Sequence, residues 1–262
     1  MAVICDLDGV VWLGDEPIPG SAEAVERLRA AGRRVLFVTN NSAVPVGEVE
    51  AKLARHGIPA EGDVLTSAMA AAHLLAPGQR ALAAAGPGVV EALGGRGVEV
   101  VPGAEAGPHD DVDAVVVGLH LDFDYRRLRV ASDAVRRGAR FVATNTDATY
   151  PTPDGPIPGG GAIVAAVAVA AGVDPEVAGK PHAPMAELVR GALGPHDADE
   201  LVMVGDRWET DGAFARALGA RFALVLTGVT AAPAAAGEVP AADLVAADLA
   251  EVATRLTASR TA

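Results

Sequence analysis

Several residue types are scarce in this sequence, and each shortage excludes a class of protein. One of its 262 residues is a cysteine, Cys5, which excludes an intrachain disulfide and is typical of a reducing compartment. Aromatic residues make up only 3%, so the core must be built from small aliphatic side chains. Because 21 Lys and Arg stand against 34 Asp and Glu, the net charge is −13. This charge argues against non-specific nucleic-acid binding, which needs clustered cations.

Long apolar runs are also missing. The longest apolar-rich stretch, residues 162–173, is shorter than the roughly 20 residues that a membrane-spanning helix needs. The N-terminus lacks a basic region followed by an apolar stretch of signal-peptide length. We therefore expect a soluble, cytoplasmic protein without a membrane partner.

What the sequence does contain is a regular alternation of apolar, strand-like runs and helix-like segments. The first such helix is expected over residues 21–31, with Ser21 as its N-cap and Gly32 after its end. The strand-like runs of this pattern are residues 2–8, 34–40, 200–206 and 220–228. Near-continuous apolar strands separated by helices predict an α/β fold with a doubly wound parallel sheet.

The middle of the chain has a different residue pattern, which predicts a second domain inserted into the first. Residues 81–175 contain further strand-like runs, but no strand there ends in a pair of acids. The first pattern then resumes. We expect a core formed by residues 1–80 and 176–262, with an inserted α/β domain over 81–175. Periodicity alone does not locate these limits, which also draw on the family resemblance given below.

Four polar segments follow apolar runs of the predicted core. They are DLDG (6–9), TNNS (39–42), GKP (179–181) and GDRWETD (205–211). In open parallel sheets the ligand crevice lies at the carboxyl ends of the strands, so these segments can converge there. Taken singly they are ordinary: an Asp-x-Asp-Gly is more often a capped turn, and acids are favoured in the first turn of a helix. Their joint occurrence in this order favours a catalytic site.

Together the four segments resemble the motifs of the haloacid-dehalogenase-type phosphohydrolases: an Asp-x-Asp, a Thr or Ser, a Lys, and a pair of acids. The segments FVTNNS, GKP and MVGDRxxTD, with PxPGxGA at 156–162, are similar to motifs of the p-nitrophenylphosphatase, or NagD-like, branch. The resemblance extends from Val3 to about Leu256. It implies a Rossmann-like core with an inserted cap domain of the C2 type. The activity that it implies is Mg²⁺-dependent hydrolysis of a small phosphorylated metabolite.

The resemblance also implies a role for each matching residue. Asp6 would be the nucleophile that forms an aspartyl-phosphate, and Asp8 would act first as general acid and then as general base. Lys180 would give a positive charge to the phosphoryl oxygens and to Asp6. Thr39 and the amides of Asn40 and Asn41 would bind the transferring phosphoryl group.

A magnesium site follows from the same pattern. A carboxylate that approaches a phosphate dianion is repelled unless a cation neutralises the site. Mg²⁺ between Asp6, Asp206 and a phosphate oxygen would do so, and the backbone carbonyl of Asp8 is a further ligand by the family pattern. Asp211 would orient the waters of the metal or bind it directly.

In this branch the inserted domain closes over the core and delivers a specificity loop, which here corresponds to residues 145–151. Tyr150 takes the position where some relatives carry a substrate-contacting His. Its phenol can hydrogen-bond a hydroxyl or stack on a small ring, and packing on the inserted domain is an equally good interpretation. Because such caps commonly mediate dimers, we also predict a homodimer through residues 81–175.

Two other functions stay open at this point. Phosphoryl transfer between sugars would use the same nucleophile and metal site. A receiver-like phosphate sensor also places acids, a Thr and a Lys around Mg²⁺, but it is about half this length and has no need of Asp8. The glycine-rich segments 86–95 and 158–162 lack the spacing of a dinucleotide-binding loop. The substrate is left open among pyridoxal phosphate, glycolate phosphate and glycerol phosphate.

Overall fold

The computed structural model describes residues 1–107, 109–150, 152, 155–195, 200–230 and 242–258. Its strands are β1 (Ala2–Cys5), β2 (Trp12–Leu13), β3 (Glu16–Pro17), β4 (Arg34–Thr39), β5 (Val64–Thr66), β6 (Arg80–Ala84), β7 (Glu99–Pro102), β8 (Ala114–Val117), β9 (Arg140–Ala143), β10 (Thr149–Tyr150), β11 (Ile157–Pro158), β12 (Glu176–Val177), β13 (Leu201–Gly205), β14 (Arg221–Val225) and β15 (Leu244–Ala246). Its α-helices are α1 (Ser21–Ala30), α2 (Val46–Arg55), α3 (Ser67–His73), α4 (Pro87–Gly95), α5 (Tyr125–Arg136), α6 (Gly160–Ala171), α7 (Ala183–Leu193), α8 (Ala213–Leu218) and α9 (Leu249–Ala258). Within these ranges, no helix is both long and apolar enough to cross a membrane.

The first sheet has six parallel strands in the order β15-β14-β13-β1-β4-β5. Its central strand is β1, in which Val3 pairs with Val202 of β13 and with Val35 of β4. Val3 and Cys5 pack with α1, α2 and α9 on one face, whereas Ile4 packs with α3, α7 and α8 on the other. A strand covered on both faces must be apolar throughout, which confirms the predicted doubly wound sheet.

Cys5 is fully buried within this central strand. Its Sγ donates a hydrogen bond to the backbone oxygen of Asp6 at 3.2 Å. Burial, and secondarily the Asp6 carboxylate, raise the pKa of the Cys5 thiol well above its ordinary value. The thiol is therefore a buried packing group that stays protonated, as its position inside an apolar strand predicts.

The second sheet has five parallel strands in the order β12-β9-β8-β6-β7. It spans the chain from Arg80 to Val177, and α5 and α6 pack against each other on it. One continuous apolar cluster joins it to the first sheet, since Ile4 and Leu36 belong to the same cluster as Val116. The predicted domain limits at 80/81 and 175/176 stay predictions.

Three local features differ from the sequence-based expectations. Ser21 is not the N-cap of α1: Gly20 holds that position with φ 83°, and the Ser21 hydroxyl donates instead to the backbone oxygen of Val10. After β13 the sequence pattern predicts one helix over residues 209–218, but a π-helical turn over Trp208–Gly212 precedes α8. The hairpins β2–β3 and β10–β11 were not predicted, because strands of two residues leave no periodic pattern. The Ala-, Pro- and Gly-rich stretch 230–242, for which the sequence predicts a loop, lies mostly outside the described residues, as does Pro151.

Candidate active site

A pocket of about 60 Å³ opens at the carboxyl ends of the first sheet, with one wall formed by loops of the second sheet. Its lining residues are Asp6, Asp8, Thr39, Asn40, Asn41, Leu119, Asn145, Asp147, Thr149, Tyr150, Gly159, Gly160, Lys180, Arg207 and Thr210. Seven of the nine predicted site residues are among them. The other two, Asp206 and Asp211, are buried and lie next to Asp6.

Lys180 is the centre of a buried ion network. Its Nζ donates to Asp6 Oδ1 at 2.7 Å and to Asp211 Oδ1 at 2.8 Å. The side chains of Lys180 and Asp211 are 2% and 0% exposed. One ammonium therefore faces two carboxylates, and such charge-assisted bonds are strong only because each charge is paired after its removal from water.

The protonation states of this network depend on each other. Burial raises the pKa of Asp6 well above its usual range, and the Lys180 ammonium opposes that rise. Burial by itself would lower the pKa of Lys180, but the neighbouring Asp211 and Asp6 carboxylates outweigh burial and raise it. Lys180 is therefore a permanent cation that favours the ionised, nucleophilic form of Asp6.

Asp206 is held in a confined position with one unused oxygen. Its Oδ2 accepts a hydrogen bond from the backbone N–H of Val229 at 2.6 Å, whereas its buried Oδ1 has no hydrogen-bond partner among the described residues. A Cβ at Gly9 or Gly228 would overlap this carboxylate. Burial, followed by the charge of Asp211, raises the pKa of Asp206 to about 6.

These acids fit a magnesium ion. Asp6, Asp206 and Asp211 each offer an oxygen, and the three oxygens lie within 4.8 Å of one another. Carboxylate oxygens are the ligands that Mg²⁺ prefers, and a cation would satisfy the orphaned Oδ1 of Asp206. The two oxygens of Asp211 already accept hydrogen bonds, from Lys180 Nζ and from the backbone N–H of Arg207 at 3.1 Å.

Asp8 lines the pocket and is partly exposed, and no hydrogen bond or ion pair joins its side chain to Lys180. Its Oδ1 accepts a hydrogen bond from Trp12 Nε1 at 3.0 Å. Burial raises the pKa of Asp8, and the Trp12 hydrogen bond opposes that rise. A carboxyl group with a raised pKa is suited to hold a proton that it later gives away.

The segment after β4 joins the two sheets. The Asn40 side chain accepts a hydrogen bond from the backbone N–H of Lys180 at 2.8 Å and donates to Asp147 Oδ2 at 3.1 Å. The backbone N–H of Asn41 donates to Thr39 Oγ1 at 3.0 Å. Asn40 thus fixes the backbone of Lys180. The predicted contacts of these three residues with a phosphoryl group remain predictions.

The predicted specificity loop reaches the first sheet directly. Asn41 Nδ2 donates to the Tyr150 hydroxyl at 3.2 Å, and Asn145 Nδ2 donates to the backbone oxygen of Asn40 at 2.7 Å. Burial, followed by the charges of Asp8 and Asp15, raises the pKa of Tyr150 to about 12. Tyr150 therefore presents a neutral phenol to the pocket.

One lining residue, Leu119, lies outside every segment that the sequence analysis names. Asp147 belongs to the predicted loop 145–151, and Arg207 and Thr210 belong to GDRWETD, but the sequence assigns none of the three a role of its own. The Arg207 guanidinium has no hydrogen bond or ion pair with any described residue, and its charge opposes the burial that raises the pKa of Asp8 and of Asp147. Leu119 follows β8, and only the packing of the two sheets brings it to the pocket.

The fold and the site define a Rossmann-like α/β protein with an Asp-x-Asp centre. A model of the haloacid dehalogenase-like hydrolases matches residues 3–99, and a HAD-hydrolase-like model matches residues 177–252. The chain belongs to the haloacid dehalogenase-like hydrolase family, as the sequence predicted.

Two curated relatives carry phosphatase names. A D-glycerol 3-phosphate phosphatase of Mycobacterium tuberculosis is 41% identical over 235 residues, which cover 88% of this chain and 64% of that protein. This chain thus spans less than two thirds of the length of that relative. An acid sugar phosphatase of Staphylococcus saprophyticus is 39% identical over 218 residues, or 80% of each chain.

Solved structures agree with the family and its branch. A glycerol phosphate phosphatase of M. tuberculosis in complex with magnesium has a TM-score of 0.85 at 37% identity and covers 95% of this chain and 75% of that one. A p-nitrophenyl phosphatase of Archaeoglobus fulgidus has a TM-score of 0.86 at 31% identity, and the match covers 97% of this chain and 98% of that one. The predicted resemblance to the p-nitrophenylphosphatase branch is confirmed.

Proposed function

We propose that this protein is a Mg²⁺-dependent phosphatase that hydrolyses a small phosphorylated metabolite through an aspartyl-phosphate. The observation that carries this proposal is the buried contact of 2.7 Å between Lys180 Nζ and Asp6 Oδ1 in a pocket that Asp8 also lines. This arrangement pairs one carboxylate, the proposed nucleophile, with a buried cation that favours its ionised form, and it leaves a second carboxylate available for proton transfer. The phosphatase names of the relatives support the same reaction.

In the first half of the reaction an Asp6 oxygen attacks phosphorus and the ester P–O bond breaks. The leaving oxygen takes the proton of Asp8. In the second half Asp8 accepts a proton from a water molecule whose oxygen attacks the same phosphorus. Phosphate then leaves, the Asp6 carboxylate is restored, and Asp8 again carries a proton.

The remaining residues supply positive charge to the site and hold the phosphoryl group in position. Bound at Asp6, Asp206 and the backbone carbonyl of Asp8, Mg²⁺ would supply positive charge to the phosphoryl oxygens. Lys180 adds a fixed cation. Asp211 holds Lys180 in place, and Asp211 would also bind the metal directly or through water. Thr39, with the amides of Asn40 and Asn41, binds the phosphoryl group, for which positioning and charge provide most of the catalysis.

We further propose that residues 1–80 and 176–262 carry the chemistry and that residues 81–175 act as a cap that selects the leaving group. Two features support this division: Tyr150 presents a neutral phenol, and Asn145, Asp147 and Thr149 of the same loop line the pocket beside it. Glycerol phosphates and sugar phosphates are the first substrates to try, because the named relatives act on such compounds.

A cytoplasmic location and a homodimer are also proposals. The free thiol of Cys5, the single cysteine, supports a reducing compartment. The exposed side chains of Leu121, Tyr125 and Val169, which are 83%, 83% and 85% accessible, support a partner surface on the second sheet. The net charge of −13 supports a protein that does not bind nucleic acid.

A panel of phosphate esters tests the activity. Glycerol 3-phosphate, sugar phosphates, 2-phosphoglycolate, pyridoxal phosphate and p-nitrophenyl phosphate would each be incubated with the protein, with and without Mg²⁺. We expect Mg²⁺-dependent release of phosphate from at least one small ester. Acceptor sugars added to the same assay separate hydrolysis from phosphoryl transfer. Absence of release from every ester in the presence of Mg²⁺ would reject the proposed function.

A further inference from the structure

The contact between Asp8 and Trp12 has a role that the mechanism above does not use. Asp8 lines the pocket, whereas Trp12 is only 4% exposed. The Trp12 indole Nε1 donates to Asp8 Oδ1 at 3.0 Å, and no other described side chain bonds this carboxylate. The residue that would deliver the proton to the leaving group is thus attached to the protein through one indole N–H.

Trp12 itself is held from several sides. Its backbone oxygen accepts a hydrogen bond from the N–H of Gly9 at 2.7 Å, and β2 pairs with β3 in a short hairpin. The Lys52 ammonium lies 4.3 Å from the centre of the indole ring. Lys52 is in turn held by the backbone oxygen of Gly14 at 2.5 Å and by Asp15 at 3.3 Å. The backbone contacts fix the position from which the Trp12 side chain extends, and rotation of the indole away from Asp8 would lose the contact with Lys52 as well as the hydrogen bond.

We propose that Trp12 is a positioning residue that determines which oxygen of Asp8 transfers the proton. An indole N–H can only donate a hydrogen bond. Asp8 Oδ1 therefore acts as an acceptor. Because the carbonyl oxygen of a carboxylic acid accepts a hydrogen bond better than its hydroxyl oxygen does, the indole favours the transferable proton on Oδ2. This inference rests on the phosphatase activity proposed above.

The consequence depends on the leaving group. An alkoxide departs with difficulty unless it is protonated, so an alkyl phosphate needs a correctly oriented Asp8. A p-nitrophenolate is stable as an anion and departs with little help from an acid. Loss of the indole N–H should therefore slow the hydrolysis of alkyl phosphates selectively, because a proton donor in the wrong orientation loses much of its effect.

The test compares kcat/KM for glycerol 3-phosphate, or the best alkyl phosphate of the panel, with kcat/KM for p-nitrophenyl phosphate. Trp12→Phe removes the N–H and keeps a ring beneath Lys52. We expect about a tenfold loss on the alkyl ester and a loss below about threefold on the aryl ester, in keeping with the loss of one hydrogen bond to a charged group. Asp8→Asn, which removes the acid itself, should show the same selectivity at a larger magnitude.

A matched control identifies a purely structural effect. Trp208→Phe is the same substitution at the other tryptophan, whose indole N–H has no partner among the described residues and whose ring lies against Arg216. This control should change kcat/KM for both esters by the same factor.

If Trp12→Phe does not fold, benzothienylalanine at position 12 in the Trp208→Phe background replaces the N–H by sulfur and keeps the indole shape. Equal losses on the two esters in the Trp12 variants, while Asp8→Asn shows the selective loss, would overturn the inference and leave the phosphatase proposal intact. Absence of phosphate release by the unmodified protein would instead reject the proposed function.

Discussion

The floor and the wall of the pocket are built in opposite ways. The floor holds three buried charges joined by bonds of 2.7 and 2.8 Å: Asp6 after β1, Lys180 after β12, and Asp211 in the π-helical turn after β13. The wall, from the second sheet, presents the neutral Tyr150, which a single hydrogen bond of 3.2 Å joins to Asn41. In the proposed mechanism the floor faces the phosphoryl group that all phosphate esters share, and the wall faces the leaving group that distinguishes them.

The floor and the wall also differ in how much a substitution can lower the free energy of unfolding. Removal of one partner from a buried ion pair leaves an uncompensated charge and costs about 3–5 kcal/mol. Loss of a neutral hydrogen bond between partly exposed groups costs about 0.5–1.5 kcal/mol. Substitutions in the floor should therefore abolish function, whereas substitutions in the wall should adjust it.

The largest effect is expected from Asp6→Asn. The amide keeps the shape of the side chain and removes the nucleophile, while Lys180 keeps its bond to Asp211. Phosphate release should fall by about a thousandfold or more, with a circular dichroism spectrum like that of the unmodified protein. A folded variant that retains a tenth of the original rate would rule out the aspartyl-phosphate.

The next effect concerns the metal and Asp206. A chelator should stop turnover and Mg²⁺ should restore it, with a rise in Tm that Asp206→Asn lacks. Without metal, the pKa of Asp206 is about 6 in the folded protein and about 3.9, the ordinary value, in the unfolded chain. Folding therefore favours the protonated form of this carboxyl group. The stability that the protonated Asp206 contributes is fully present below about pH 4 and is lost as the pH rises past 6.

The matched measurement is Tm against pH, in chelator, for the unmodified protein and for Asp206→Asn. The amide does not titrate, so the variant should lose less stability than the unmodified protein between pH 4 and 7. Identical slopes, or an equal gain in Tm from Mg²⁺ in both proteins, would mean that Asp206 does not hold the ion.

The smallest effect is expected at the wall. Tyr150→Ala should lower kcat/KM for the best natural substrate by about fivefold, which corresponds to one neutral contact, and should leave p-nitrophenyl phosphate nearly unaffected. Tyr150→Phe separates the hydroxyl from the ring. Tyr125, the other tyrosine, is 83% exposed and gives a control, Tyr125→Ala, that should change neither substrate. Equal losses on both substrates would assign Tyr150 to the fold and not to specificity.

The floor could be predicted from the sequence and most of the wall could not, for a physical reason. The carboxyl ends of neighbouring parallel strands must meet at one edge, so Asp6, Thr39 and Asp206 were bound to converge once the strands were recognised. The bond between Asp211 and Lys180 depends on the π-helical turn at 208–212, which has no periodic pattern. Leu119 meets the pocket only because of how the second sheet packs on the first.

The burial of Cys5 has a practical consequence. The single thiol of the chain lies in the central strand with 0% exposure, next to the proposed nucleophile. Peroxide and alkylating reagents cannot reach it while the central strand stays paired on both sides, so the oxidants that inactivate thiol-dependent phosphatases find no accessible thiol in the native protein. The rate at which a reagent modifies Cys5 therefore measures the opening of the first sheet, so this thiol is a built-in probe of unfolding.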